Sequence, residues 1–313
     1  MNDPIIVSIR CTVFNHGPYL RQCLDGFVMQ KTNFRFEAFV HDDASTDDSA
    51  AIILEYARKY PDIIKPYIQK DNLYSKKDGS FLRMTYNPEY LKGKYIAICE
   101  GDDYWIDPLK LQKQVDYLET HPNCSMCFGN AIEHWEDGSQ PDHPFSTIEA
   151  RDYSGVENCW KWLIPTVTIV FRKELFETSL YKTIRSKYKF PVGDLPLILT
   201  CASYGQLHAF SDYFAVYRKQ CTGFTMNYDS SRRLRMGRMW KAIPKVFGPS
   251  YGEVSAFKAI FHFRKGILAA KSENNRSRYF VFILEIIWMY ISRPINSWKR
   301  LKKILQQRSM VIE

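Results

Sequence analysis

A short apolar run that ends in three carboxylates decides the fold of this chain: Lys94-Tyr95-Ile96-Ala97-Ile98-Cys99-Glu100-Gly101-Asp102-Asp103. The apolar part is bounded by glycines and is typical of a buried strand. Three carboxylates at a strand end repel one another unless a positive charge lies between them, and a divalent cation with oxygen ligands commonly supplies it. Because open α/β sheets bind ligands at the carboxyl ends of their strands, the segment predicts a ligand and metal site. The alternative is a solvated acidic turn.

A second acidic loop follows another strand, upstream in the chain. Residues 36–41 predict a strand, which runs into Asp42-Asp43-Ala44-Ser45-Thr46-Asp47-Asp48. The last four of these residues supply caps for a helix with apolar side chains at helical spacing over residues 52–60. Asp42 and Asp43 precede the cap and are left without a structural task, so we expect them to serve a ligand.

The first hundred residues alternate between strands and helices. A first strand, Ile5-Ile6-Val7-Ser8-Ile9-Arg10-Cys11, is followed by a polar turn from Thr12 to Pro18 and by an amphipathic helix. The order is strand-helix-strand-helix-strand-helix-strand, with polar residues collected at the strand ends. This order predicts an α/β nucleotide-binding architecture.

Three motifs together resemble glycosyltransferase family 2. They are strand-Thr-x-x-Asn from Thr12, strand-Asp-Asp-Ala-Ser-Thr-Asp from Asp42, and Gly-Lys-Tyr-Ile-x-x-x-Glu-Gly-Asp-Asp-Tyr-Trp from Gly93. The resemblance covers residues 4–220 and implies the GT-A fold, a nucleotide-binding α/β/α sandwich. It further implies inverting transfer from a nucleoside diphosphate sugar, with a UDP-sugar favoured, to a hydroxyl of a glycan or lipid-linked acceptor. The Gln-x-x-Arg-Trp motif of processive polysaccharide synthases is missing from the sequence, which indicates addition of a single sugar. Mn²⁺ or Mg²⁺ is the implied cofactor, and polysaccharide or lipid-linked glycan synthesis is the implied context.

The resemblance also assigns roles to individual residues. Those matched to donor binding are Thr12, Asn15, Asp42, Asp43, Arg83, Glu100 and Asp102. Asp102 and Asp103 match the metal-binding motif, and its first position is Glu100 instead of Asp. Which carboxylates contact the metal and which the ribose therefore stays open.

Several of these residues have plain structural alternatives. Thr12 could simply end its strand, and Asn15 could form the turn before Gly17 and Pro18. Arg83 lies in a loop rich in Lys, Asp, Gly and Ser, where a solvated charge needs no further explanation. Trp105 could belong to the core or could stack on a sugar or base.

Inverting transfer also needs a general base that removes the proton of the acceptor hydroxyl. The candidate is Asp194, in Phe190-Pro191-Val192-Gly193-Asp194-Leu195-Pro196, a loop that enters an apolar helix ending near Tyr204. The alternative is a helix cap with no catalytic role. The resemblance favours the base, since the family carries an acidic motif at this place.

Charge divides the 313-residue chain, whose net charge is +9. Residues 229–313 hold 18 Lys and Arg against 5 Asp and Glu, whereas residues 1–228 hold 25 against 29. We therefore predict a catalytic domain over 1–228, with a donor half (1–105) and an acceptor half (106–228). A basic, mainly helical region over 229–313 follows it.

The basic region contains an apolar run over residues 279–291 that is interrupted by Glu285. The run is shorter than the roughly 20 residues that span a bilayer. The basic residues after it are Arg293, Lys299, Arg300, Lys302 and Lys303. Three interpretations remain: a helix on an anionic membrane surface, a helical cap on the catalytic domain, and nucleic-acid binding. We expect no nucleic-acid partner, because no recognised module is present.

The start of the chain leads directly into the first strand, so no signal peptide is predicted. We expect a cytoplasmic protein, peripheral on the inner face of the membrane under the first interpretation. A rival enzyme class is a nucleotidylyltransferase, which would carry a glycine-rich basic loop after the first strand. The non-enzymatic rival is a sugar- or lipid-binding module, and the acidic residues at both strand ends argue against it.

Overall fold

The computed structural model describes residues 3–76, 79–87, 89–188, 190–220 and 229–292. The polybasic segment of residues 293–303 lies outside them. The chain forms two compact units. The first comprises Met1–Lys182 and Leu197–Gln220, and the second comprises Thr183–Pro196 and Cys221–Glu313. The division into domains 1–228 and 229–313 stays a prediction.

The strands all lie in the first unit. They are β1 (Ile5–Val13), β2 (Arg35–Asp42), β3 (Ile64–Ile68), β4 (Tyr95–Ile98), β5 (Tyr104–Trp105), β6 (Cys124–Trp135), β7 (His143–Pro144), β8 (Asp152–Tyr153), β9 (Val170–Arg172) and β10 (Gln206–Lys219). They form one sheet in the order β3-β2-β1-β4-β9-β6-β10-β5, with β7 beside β6 and β8 beside β10. β3, β2, β1 and β4 are parallel, and β9 runs antiparallel to both β4 and β6.

Helices alternate with these strands and then dominate the end of the chain. They are α1 (Gly17–Val28), α2 (Ser49–Lys59), α3 (Ser80–Thr85), α4 (Lys110–Thr120), α5 (Gly155–Lys161), α6 (Ser179–Thr183), α7 (Asp194–Tyr204), α8 (Ser230–Phe247), α9 (Gly252–Ser272) and α10 (Arg276–Ile291). The order β1-α1-β2-α2-β3-α3-β4 is the alternation that the first hundred residues predict. Two hydrophobic clusters form the core of the first unit.

The central strand β1 brings the two acidic loops together. The backbone N–H of Asp43 donates to the carbonyl of Val13 at 2.9 Å, and the N–H of Gly101 donates to the carbonyl of Thr12 at 2.9 Å. One loop follows β2 and the other follows β4, and these strands flank β1 on its two sides. Parallel pairing therefore places both loops at the carboxyl end of the same strand, where α/β sheets bind ligands.

Trp105, just after the acidic motif, belongs to the core. Its side chain is buried, its indole N–H donates to the carbonyl of Val167 at 2.9 Å, and the Phe27 ring packs against it edge-on at 5.0 Å. Lys110 is also fully buried, with Nζ 4.1 Å from the Trp105 ring centroid and 2.7 Å from Gln114 Oε1. Burial lowers the pKa of Lys110 to about 7. This cluster anchors the segment that follows the acidic loop.

Lys110 should make stability depend on pH. Its pKa is about 7 in the folded chain and about 10.4 when unfolded. Between these values the unfolded chain binds more protons, so the free energy of unfolding rises with pH. Lys110→Met should raise that free energy by a few kcal/mol near pH 7, at the order-of-magnitude level, and by less near pH 10. Urea unfolding at the two pH values measures this, with exposed Lys31→Met as the control. Parallel pH curves for Lys110→Met and the parent chain would contradict the assignment.

The second unit contains α8, α9 and α10, which pack through glycines. A Cβ added at Gly237 of α8 would overlap the ring of Phe263 on α9. A Cβ added at Gly266 of α9 would likewise overlap the ring of Phe282 on α10. Both rings are fully buried, so each glycine makes room for an aromatic side chain from the next helix. No helix in the described ranges is both long enough and apolar enough to cross a bilayer.

Gly237→Ala should destabilise the second unit. The added methyl group overpacks a buried ring, which costs about 1–3 kcal/mol, although alanine favours a helix by up to about 1 kcal/mol over glycine. Gly252→Ala is the matched control, because a Cβ there meets no atom within 4 Å. Thermal unfolding should show a lower Tm for Gly237→Ala and an equal or higher Tm for Gly252→Ala. Equal Tm values for the two variants would show that the ring moves aside freely.

Candidate active site

Side-chain to backbone hydrogen bonds join the loop after β1 to the loop after β2. Asn15 has a left-handed backbone (φ 56°), and its Oδ1 accepts the N–H of Thr46 at 2.7 Å. The N–H of Asn15 donates in return to Ser45 Oγ at 2.9 Å. Asn15 therefore has a structural role in the turn before Gly17 and Pro18, as one of the two interpretations of the sequence predicts. Its predicted donor contact stays a prediction.

Asp47 ties the same two loops to the helices behind them. One of its oxygens accepts the N–H of Gly17 at 2.8 Å, and the other accepts the N–H of Ser49 at 3.0 Å. These are free N–H groups in the first turns of α1 and α2, where a carboxylate also opposes the positive end of each helix. A single side chain thus caps two helices.

Asp42 and Asp43 are both buried, and the carboxylate of each accepts hydrogen bonds from backbone N–H groups. Asp42 accepts the N–H of Ser45 at 3.1 Å and also its hydroxyl, whereas Asp43 accepts the N–H groups of Leu73 and Tyr74 at 2.8 and 2.9 Å. Burial raises the pKa of Asp42, and the two bonds from Ser45 oppose that rise. The expectation that these residues lack a structural task is wrong. Asp42 closes its own loop at Ser45, whereas Asp43 holds the backbone of a segment 30 and 31 positions further along the chain.

Glu100 pairs with an arginine in the central strand. Arg10 is 4 % exposed in β1, and its Nη1 donates to Glu100 Oε1 at 2.9 Å. The Tyr86 ring lies 4.4 Å from the guanidinium carbon. Burial alone lowers the pKa of Arg10, but Tyr86 and Glu100 together raise it above its ordinary value. Arg10 is therefore a fixed positive charge beneath the acidic loop.

Asp103 points into the protein. It is buried, and its Oδ1 accepts the backbone N–H of Arg218, near the end of β10, at 2.8 Å. Burial raises the pKa of Asp103 well above its usual range, and the neighbouring charge of Asp102 adds to the rise. The side chain thus joins the acidic loop to β10.

Asp102 is partly exposed, and among the carboxylates of this loop only the Glu100 side chain is more exposed. The Asp102 side chain is 31 % exposed, and His16 Nε2 lies 3.9 Å from its Oδ2. His16 comes this close because residue 101 is glycine: a Cβ there would lie 2.8 Å from His16 Nδ1. Sequence reasoning did not select His16 or Arg10. A charged residue inside an otherwise apolar strand was the available signal for Arg10.

Within the described part of the chain, no three His, Cys, Asp or Glu side chains form a metal site. The donor set at Asp102 is nevertheless of the kind that Mg²⁺ uses. That ion keeps several waters and is held by one or two carboxylates together with phosphate oxygens of a substrate. The residues present fit a cation that arrives with a diphosphate.

The remaining predicted residues lie on different elements. Thr12 is buried in β1, and Arg83 is exposed on α3. Asp194 is partly buried in the first turn of α7, where its Oδ1 accepts the N–H of Leu195 at 2.7 Å. Asp194 belongs to the second compact unit, whereas the acidic loops belong to the first. The catalytic role of Asp194 and the donor contacts of Thr12 and Arg83 stay predictions.

Sequence comparison identifies the family. The sequence pattern of glycosyl transferase family 2 matches residues 8–180, which include most of β1, both acidic loops and β4. The chain belongs to glycosyl transferase family 2. An uncharacterized protein of Mycobacterium tuberculosis is 35 % identical over 228 residues, or 72 % of this chain, and the match spans 62 % of that relative's length. The amylovoran biosynthesis glycosyltransferase AmsE of Erwinia amylovora is 24 % identical over 157 residues, covering 50 % of this chain and 54 % of AmsE.

Solved structures of glycosyltransferases share the family's fold. TarS residues 1–349 from S. aureus, in complex with UDP-GlcNAc, align with a TM-score of 0.65 at 15 % identity, over 89 % of this chain and 79 % of TarS. The mannosyltransferase PcManGT of Pyrobaculum calidifontis, in complex with GDP-Man and Mn²⁺, aligns with a TM-score of 0.53 at 17 % identity, over 98 % and 81 %. The predicted family and the α/β GT-A fold with a helical C-terminal part are confirmed.

Proposed function

We propose that this chain is an inverting glycosyltransferase that moves one sugar from a nucleoside diphosphate sugar to an acceptor hydroxyl. The observation that carries the proposal is the pair of acidic loops hydrogen-bonded to the carboxyl end of β1, with Asp102 open at that edge. The family match covers both loops. The nucleotide sugars bound by TarS and PcManGT support a donor of the same class.

The donor would lie across the two loops. Among the described residues, Arg10 is the side chain that bonds to the Glu100 carboxylate, and it does so through Oε1, which leaves Oε2 for a ligand. A fixed carboxylate oxygen is a suitable acceptor for a ribose hydroxyl. The nucleotide base would bind at the loop that Asp42 and Asp43 hold in place. Thr12 and Asn15 would line the same pocket. Arg83, exposed on α3, would approach the diphosphate.

We assign the cation to Asp102 in preference to Asp103. Asp103 is buried with one oxygen bonded to the Arg218 backbone, whereas Asp102 is open and faces His16. A bound Mn²⁺ or Mg²⁺ would neutralise the charge that develops on the departing nucleoside diphosphate. Glu100, already paired with Arg10, would keep its place while Asp102 holds the ion.

Asp194 is the proposed general base. It would take the proton of the acceptor hydroxyl as that oxygen forms a bond to the anomeric carbon. The bond between the anomeric carbon and the phosphate oxygen breaks at the same time, and the nucleoside diphosphate leaves with the electron pair. Attack from the face opposite the leaving group inverts the anomeric configuration.

The proposed acceptor is a glycan or a lipid-linked glycan, met at the cytoplasmic face of the membrane. The support for this context is the strongly basic second unit and the similarity to AmsE, whose name places it in amylovoran biosynthesis. The chain lacks a Gln-x-x-Arg-Trp motif, and this supports addition of one sugar over processive synthesis.

A thermal-stability screen tests the proposed function. The full chain would be heated with UDP-GlcNAc, GDP-mannose, UDP and ATP, each with Mn²⁺ and with a chelator. One nucleotide sugar should raise the Tm, and only with Mn²⁺, since the proposed cation holds its diphosphate. A ligand at about 100 times its Kd adds about 2.7 kcal/mol to stability. ATP is the control for non-specific anion binding. Equal shifts with ATP, or no shift with any sugar nucleotide, would contradict the proposal.

A further inference from the structure

An apolar stripe runs along the outer side of α10. It consists of Phe280, Leu284, Ile287 and Ile291, which are 46–80 % exposed. Their spacing of three and four residues places them on one face of the helix. The buried residues of α10 are Phe282 and Met289, which lie on the opposite face. The stripe is therefore directed away from the packed side of the second unit.

Two aromatic side chains border the stripe. Trp288 and Tyr290 are each about half exposed and lie on its two sides, as helical spacing requires. Lys241 Nζ lies 4.0 Å from the Trp288 ring centroid, which holds the indole at the edge of α8. Tryptophan and tyrosine favour the boundary between hydrocarbon and water in membranes.

The acidic residue of α10 does not interrupt the stripe. Glu285 is turned toward α8, where it bonds to Arg238 Nε at 2.7 Å and to Lys241 Nζ at 2.5 Å. The interruption that the sequence suggests is thus absent from the exposed face. Glu285 instead fixes the rotation of α10 and so the direction of the stripe.

The charge around the stripe is positive. Residues 229–292 contain 12 Lys and Arg against 4 Asp and Glu. Within the unit, Asp229 and Glu273 bond to backbone N–H or hydroxyl groups, and Glu285 bonds to two cations. Residues 293–313, outside the described residues, add six Lys and Arg against one Glu in sequence. An anionic surface is the complement of this arrangement.

We propose that the α10 stripe lies in the interface of an anionic phospholipid bilayer. The apolar side chains would enter the boundary of the acyl chains, Trp288 and Tyr290 would sit at headgroup level, and the surrounding cations would meet anionic headgroups. α10 has 16 residues and no helix in the described chain spans a membrane, so the contact is peripheral. This inference rests on α10 and its neighbours, and it holds whatever the donor of the first unit is.

Vesicle sedimentation of the full chain tests the proposal without an activity assay. The chain should bind vesicles of phosphatidylcholine with phosphatidylglycerol much more strongly than phosphatidylcholine alone. High salt should release only part of it, because salt screens charges and leaves apolar burial intact. The double variant Leu284→Ser/Ile291→Ser should lower the partition coefficient about tenfold or more, since two exposed leucine-sized side chains no longer enter the bilayer.

Leu268→Ser is the matched control, because Leu268 is 61 % exposed on α9 and outside the stripe. It should bind vesicles as the parent chain does. Equal loss in both variants, or no vesicle binding by the parent chain, would overturn the proposal.

Light scattering and Tm test whether a second copy of the chain or the chain's own residues cover the stripe instead of a bilayer. If the parent chain is a dimer and the double variant a monomer, a second copy covers the stripe. If the double variant loses stability like a core mutant, the chain's own residues cover it.

Discussion

Replacement of Asp102 by asparagine should abolish Mn²⁺-dependent donor binding and leave the fold intact. Asp102 is partly exposed, and within the described part of the chain its side chain approaches only His16, so its replacement should cost the fold little. A cation that stabilises a leaving diphosphate contributes several kcal/mol, which corresponds to about two orders of magnitude or more in transfer rate. Calorimetry of the donor identified in the thermal screen, with Mn²⁺ and with a chelator, measures the binding.

Two matched variants separate Asp102 from its surroundings. Asp103→Asn keeps an oxygen for the Arg218 N–H and should change donor affinity only a few-fold if Asp102 holds the ion. Asp62→Asn, in an exposed turn before β3, should change nothing. Unchanged affinity in Asp102→Asn together with a large loss in Asp103→Asn would move the cation to Asp103.

Asp194→Asn should lose transfer while it keeps donor binding. Removal of a general base typically lowers a rate by about 10²–10⁴. The asparagine oxygen can still accept the N–H of Leu195, so the start of α7 should be preserved. A loss of transfer would then not be explained by a lost helix cap. Single-turnover transfer and donor calorimetry on the same preparation separate the two functions.

Asp229→Asn is the control for Asp194. Asp229 belongs to the same compact unit and caps α8 through the N–H of Arg232 at 2.6 Å, which asparagine can also do. Its variant should transfer sugar at the parent rate. A normal rate for Asp194→Asn would reduce that residue to a helix cap.

Much of the first unit could be predicted from local sequence patterns. Runs of β-branched and aromatic residues locate β1, β2 and β4, and a helical apolar period locates α1 and α2. Parallel pairing then follows from the alternation of strands and helices. The position of both acidic loops at the end of β1 is a consequence of that order, so the sequence alone predicts that the two loops are neighbours.

The different role of each carboxylate could not be predicted from the sequence in the same way. Asp42, Asp43 and Asp103 bond to the backbone of Ser45, Leu73, Tyr74 and Arg218, and sequence spacing contains no information about where those N–H groups point. The contact between Arg10 and Glu100 spans 90 positions. Side-chain direction in a loop depends on tertiary packing, which short patterns do not encode.

The arginine in β1 has a consequence for how the protein exists before it meets any ligand. The acidic loop carries three carboxylates that would repel one another, but Arg10 balances the charge of Glu100 and the buried Asp103 accepts the backbone N–H of Arg218. With Glu100 paired to a cation and Asp103 buried with a raised pKa, less negative charge remains at the loop than the sequence suggests. We therefore expect the loop to keep its shape in the absence of a divalent ion. If Asp102 holds the ion as proposed, uptake of the ion would accompany donor recognition and not the folding of the protein.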